Sequence, residues 1–212
     1  VDVYTGRKLW QRELPDVGLY YNNTGHHPGA SAIGSNFVTL PDGIYVAWDR
    51  QCLRLDPASG ETVSTFTLPA DERGDKPVWG FIGVHGELLI AGSSPVAPFT
   101  KSRAKEDENA VFTRFGEGSR RLVVMDRHTG KVLWKRDAVF NFRHNAIVAG
   151  GGKIYCLDHM TDARIEYLKR RGKPLAGAAR LLVLDAATGK LIWETDDNVF
   201  GTWLSYSAPH NL

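Results

Sequence analysis

Three of the seven histidines occupy related places along the chain. His27 follows Trp10 by 17 residues, and His210 follows Trp193 by 17 (27−10, 210−193). His144 follows Trp134 by only 10, but its setting, Arg143-His144-Asn145, resembles Pro209-His210-Asn211. Imidazoles brought together from separate repeats can hold a metal ion or an anionic ligand. Arg143 joins them as a candidate. The plainer reading makes all of them polar rim residues or hydrogen-bonded strand ends. Other reaction chemistry is not visible. Ser31 lies in Gly29-Ala30-Ser31-Ala32-Ile33-Gly34, which is not a nucleophile elbow, and there is no phosphate-cradling glycine loop, HExxH or CxxC.

The elements that must position these residues come from a motif present four times. It begins at Asp2-Val3-Tyr4-Thr5-Gly6 and ends on Trp10. It returns as Asp56-Pro57-Ala58-Ser59-Gly60, then as Asp126-Arg127-His128-Thr129-Gly130 closing on Trp134. The last copy is Asp185-Ala186-Ala187-Thr188-Gly189, closing on Trp193. The Asp positions are 54, 70 and 59 residues apart (56−2, 126−56, 185−126), and such a period means stacked units. Each copy reads as a hairpin turn. The carboxylate accepts backbone N–H groups two residues on, Thr or Ser assists, and Gly takes the left-handed conformation. Apolar runs such as Arg121–Met125 and Arg180–Leu184 lead into the turns, and further strand candidates lie upstream at 35–39, 44–47, 78–82, 87–90, 145–148 and 153–157. About four strands per repeat is the blade of a β-propeller. The terminal indoles can lie between one sheet and the next, each N–H finding a carbonyl. The second copy has Ser64 in that place, and Phe66 is the side chain expected to fill it.

The Asp-x-x-Thr-Gly-x-x-x-Trp repeat behind an apolar strand resembles that of the pyrroloquinoline-quinone-type propellers. That superfamily contains quinoprotein alcohol dehydrogenases and the non-enzymatic outer-membrane assembly lipoprotein propeller. The resemblance covers essentially the whole chain and implies an all-β fold, part of an eight-bladed ring. It also suggests an extracytoplasmic location. Its enzymatic members hold a quinone between a Trp floor and a ring of adjacent cysteines, with Ca²⁺ on carboxylate and amide side chains. Trp79 or Trp203 would be the floor here, yet no two cysteines are adjacent. Quinone and calcium are therefore expected only if the chain is a dehydrogenase segment oxidising alcohols or sugars. The first expectation is a non-enzymatic platform that presents loops to a protein partner or a small ligand. The scaffold domain of a multidomain protein is a third expectation.

Residues 1–14 read as the outer hairpin of one blade, 15–69, 70–138 and 139–198 as three blades, and 199–212 as the first strand of another. The chain begins inside a turn motif, so a segment of a longer propeller is expected; the alternative is a small ring closed by pairing 1–14 with 201–212. The blade 70–138 carries an insert, 101–109, that is charged with mixed sign and reads as a solvated loop. Residues 161–172 read as a short helix with a basic end, stopped by Gly172 and Pro174. Cys52 and Cys156 read as buried apolar side chains. The net charge of +2 gives no argument for nucleic acid, and no apolar run approaches the roughly 18 residues of a membrane-spanning helix.

Overall fold

A computed structural model describes residues 4–15, 36–71, 74–96, 118–160, 162–175, 177–201 and 203–210. Within them the chain forms eleven strands and one helix. A four-stranded antiparallel sheet runs β1 (Phe37–Leu40), β2 (Gly43–Trp48), β3 (Gln51–Leu55), β4 (Thr62–Thr67). The remaining strands are β5 (Trp79–His85), β6 (Leu88–Val96), β7 (Gly118–Asp126), β8 (Val132–Gly150), β9 (Lys153–Asp158), β10 (Arg180–Asp185) and β11 (Leu191–Thr195). They pair in the order β11-β10-β9-β8-β7-β6-β5.

Hydrogen bonding makes those seven strands one sheet, but packing makes them two layers. β8 has 19 residues, and its first half pairs with β7 (Val124 opposite Trp134) while its second half pairs with β9 (Ile147 opposite Cys156). The register slips between Phe142 and Ile147, where the strand passes from one layer to the other. The sequence reading treats residues 145–148 as a strand of their own; they are the far end of one that begins at Val132. The middle layer therefore buries both faces. Leu89, Ala91, Val123 and Met125 pack against Tyr45, Ala47, Cys52 and Phe66 of the first sheet. Ile90, Leu122 and Val124 point the other way, onto Ile154, Cys156, Leu182 and Leu184. Period-two alternation with both faces apolar produces the continuous hydrophobic runs of these strands. Three four-stranded antiparallel layers, stacked face to face, are the blades of a β-propeller. The array is open. Residues 4–15 lie against the first blade, where Trp10 donates to Pro57 O (2.9 Å) and Trp48 donates to Pro15 O (2.8 Å). Residues 199–201 and 203–206 lie on the third blade instead, where Val199 and Leu204 cover Ala146 and Leu157 and Tyr206 stacks on Tyr155. The small ring closed by pairing the two ends is thus not the arrangement found.

The turns are built as their sequence requires. Asp126 Oδ1 accepts from His128 N (3.0 Å), Thr129 N (2.7 Å) and Thr129 Oγ1 (2.8 Å), and Asp56 and Asp185 hold the same bonds to Ser59 and Thr188. These bonds hold all three carboxyls below the usual carboxylate range. Gly60, Gly130 and Gly189 have φ of 75°, 71° and 69°. Each also lies under an aromatic ring of the preceding blade's outer strand or its equivalent: Trp10 over Gly60, Phe66 over Gly130, Trp134 over Gly189. A Cβ would come within 2.5–2.6 Å of the ring in all three. Phe66 does take the place that Ser64 leaves. Trp193 differs from the expectation of an enclosed indole: it is 44% exposed, because no described residue of a further layer lies over it.

Candidate functional site

The glycine turns define one end of the blades, and a buried polar cluster lies at the other. Register fixes this. Leu88 faces Asp126 at the turn end of β6 and β7, whereas Val96 faces Gly118 and Gly118 faces Arg143 at the opposite end. Phe142 and Arg180 both face Asp158 there. Val96 and Gly118, which flank residues 97–117, and Asp158 and Arg180, which flank the second long insertion, all lie at this end.

Asp158 anchors it. The residue is fully buried, and its carboxylate accepts from Val139 N (2.7 Å), Phe140 N (2.8 Å) and Arg180 Nη2 (2.8 Å). A buried carboxylate needs such partners, and these three tie β8 at its crossing point to β9 and β10. Arg180 also reaches Glu194 Oε2 (3.2 Å) on β11. Two neighbours then hold the start of the second insertion. Asn141 O accepts from His159 N (2.9 Å), Asn141 Nδ2 donates to His159 O (3.3 Å), and Arg143 Nη1 donates to Met160 O (3.0 Å). The helix α1 (Asp162–Arg170) follows. It ends with Lys173 N donating to Leu168 O (3.0 Å) and Gly172 at φ 62°, the left-handed stop expected at Gly172.

Each candidate residue of the sequence reading has a definite place. His144 is buried, with Nε2 2.8 Å from Ser119 Oγ. A Cβ on Gly92 would lie 2.5 Å from that hydroxyl, so the glycine makes room for the pair. Serine beside imidazole is the geometry of nucleophile and base, but side chains 0% and 2% exposed meet no substrate. Arg143 is buried and bonded to the backbone; His210 is exposed in the turn at 208–210; His27 lies outside the described residues. Trp79 is 1% exposed, packed in the seam between the first two blades, and Trp203 is 66% exposed. Of the motif residues, Asp2 lies outside the described residues, Gly6 takes φ 69° and Trp193 is the exposed indole, while Trp10, Asp56, Gly60, Asp126, Gly130, Trp134, Asp185 and Gly189 are the turn and seam residues described above. Sequence reasoning missed Asp158, Asn141 and Ser119. The only signal was an acidic residue at the end of an apolar strand, which is common in any β protein.

The quinone cage of the enzymatic relatives does not fit these residues. Cys52 on β3 and Cys156 on β9 are both buried in the cores, and burial pushes both thiols up. They cannot form a ring of neighbouring cysteines. Trp79 has its faces covered, and among the described residues no three His, Cys, Asp or Glu side chains are grouped to hold a metal ion. The cluster as built positions two connections of the chain.

A family model described as outer membrane protein assembly factor BamB matches residues 49–203. The chain belongs to that family of quinone-type propeller repeats. Solved structures similar to it include the quinohemoprotein alcohol dehydrogenase of Comamonas testosteroni (16% identity, TM-score 0.47, covering 76% of this chain and 27% of that one). A second such enzyme, from Pseudomonas putida HK5, is 14% identical with a TM-score of 0.45, over 74% of this chain and 19% of that one. BamB from Moraxella catarrhalis is 15% identical with a TM-score of 0.35, over 76% of this chain and 51% of that one. The chain thus spans between about a fifth and half of the length of these proteins. No curated protein sequence matches it.

Proposed function

We propose that the chain is a non-catalytic binding platform whose insertion-bearing end is offered to a protein partner. The observation that carries this reading is the use made of the polar groups there. Asp158, Arg180, Asn141 and Arg143 are engaged in holding β8, the start of the second insertion and the neighbouring strands, so these polar groups build the scaffold rather than reaction chemistry. Loops held by a rigid scaffold are the usual place for binding. The family description, an outer-membrane assembly factor, supports a protein partner and an extracytoplasmic location. His27, His144 and His210 have the plainer role of rim and strand-end residues in this reading.

The test is addition of pyrroloquinoline quinone and Ca²⁺ to the protein, followed by dye reduction with alcohols and sugars. The expected result is no quinone-dependent reduction. Turnover that depends on both additions overturns the platform and makes the chain a dehydrogenase segment.

A further inference from the structure

We infer that the end of the third blade bearing α1 is a docking surface for an acidic protein segment with apolar anchors. The inference rests on the platform reading and names the partner's chemistry. Three connections emerge at this end: the bend of β8, the insertion 159–179, and the segment after Thr195, which faces Leu181 next to Arg180. Two of them carry unlike chemistry at the same end.

The first is positive charge. Residues 164–173 hold five basic side chains and one acidic one, a charge of +4 in a chain whose total is +2. Lys169, Arg170, Arg171 and Lys173 are exposed. The strip is also partly ordered: the guanidinium carbons of Arg164 and Arg171 lie 5.6 and 5.0 Å from the Tyr167 ring centroid, and Leu168 is buried beneath. Cation–π contact holds long side chains that would otherwise lose freedom on binding. The second is apolar surface. Phe200 is 91% exposed and Trp203 66%. Exposed Trp and Arg together are the composition of binding hot spots.

Charge pattern selects a protein over a lipid surface. Asp196 and Asp197 are exposed just before Phe200. An anionic bilayer attracts the α1 strip but repels this pair wherever the aromatic residues enter. A protein segment can set carboxylates against α1 and apolar side chains against Phe200 and Trp203 without meeting the aspartates.

The experiment uses fluorescein-labelled short peptides, one rich in Glu with Phe and Leu anchors and one with Lys replacing Glu, read by anisotropy against the whole chain. Phosphatidylglycerol vesicles and sedimentation of the chain alone complete the set. The acidic peptide is expected to bind, more weakly as salt rises, and the basic peptide is not. The triple variant Lys169→Glu, Arg170→Glu, Arg171→Glu is expected to lose about tenfold or more in affinity, and Trp203→Ala about tenfold. Equal affinity of wild type and both variants, binding of vesicles without the acidic peptide, or self-association that masks the surface overturns the assignment. Those outcomes leave the platform standing, since only quinone-dependent turnover removes it.

Discussion

The two seams between blades solve one packing problem with different parts. Between the second and third blades a single indole does most of it. Trp134 lies over Gly189 and donates to Ala186 O at 2.9 Å, the carbonyl one residue after the turn Asp. Between the first and second blades the ring over Gly130 is Phe66, which has no N–H to give. The equivalent carbonyl, Arg127 O, is instead served by Tyr45 Oη at 3.3 Å, from a ring stacked 6.4 Å from Phe66. Arg127 Nη1 returns a bond to Tyr45 Oη (3.2 Å) and reaches Asp42 Oδ2 (2.6 Å), which Arg54 also contacts (3.1 Å). Glu87 receives Arg127 Nη2 (3.4 Å) and lies 2.6 Å from His128 Nε2. One seam concentrates its polar bond in one side chain; the other spreads it over a Phe–Tyr pair and a rim of ions. The shared requirement is a flat ring on glycine and a donor for one carbonyl, not tryptophan as such.

Removing the concentrated contact should break the comparison most visibly. Trp134→Ala deletes a buried indole and strands Ala186 O, and it is expected to cost about 3–5 kcal/mol by denaturant unfolding. Next come the glycines. Gly189→Ala and Gly130→Ala both force a left-handed Ala, about 1–2 kcal/mol. At Gly189 the new Cβ meets three indole atoms at 2.5–3.0 Å, so overpacking of about 1–3 kcal/mol is added. At Gly130 only one Phe66 atom lies under 3 Å, and a phenyl ring turns aside more easily. A larger loss for Gly130→Ala than for Gly189→Ala would mean the distributed seam is the more rigid of the two. Tyr45→Phe tests the distribution itself. It leaves the stack on Phe66 and removes the donor to Arg127 O, for an expected cost of about 1–2 kcal/mol. A neutral result would show that the carbonyl needs no donor in this seam.

How far the sequence carries is visible in the same residues. The turns and their glycines are legible because local chemistry dictates them: Asp, Thr and Gly act within five residues of chain. Phe66 as the substitute ring follows from a vacancy in a repeated pattern. Tyr45 and Asp42 do not, because they reach Arg127 from 82 and 85 residues away, and nothing local marks them. The same holds for Asp158, whose partners on β8 and β10 are set by the bend of a 19-residue strand that reads as two. Local sequence alone likewise misdirects at His144 and His210. The similar settings Arg143-His144-Asn145 and Pro209-His210-Asn211 place one imidazole against Ser119 in the core and the other on an exposed turn.

Acid offers the smallest and most selective separation of the seams. Asp56, Asp126 and Asp185 are all held below the ordinary carboxylate range, chiefly by their Ser or Thr partners. Asp42 is held low as well, chiefly by the hydrogen bond from Arg127. A carboxyl depressed by folding contributes its stabilisation fully above its unfolded value, about 3.9, and loses it as pH falls through the folded value. The turn aspartates serve every blade alike, so their loss weakens both seams together. Asp42 serves only the first. Hydrogen exchange of the core amides should therefore show β2 and β3 losing protection before β9 and β10 as pH drops below about 4. Asp42→Asn should make the first seam slightly more open at neutral pH and abolish its extra sensitivity to acid. If the variant keeps the early opening of β2 and β3, the rim ions are not what distinguishes the seams, and the Phe66–Tyr45 pair alone must account for the difference.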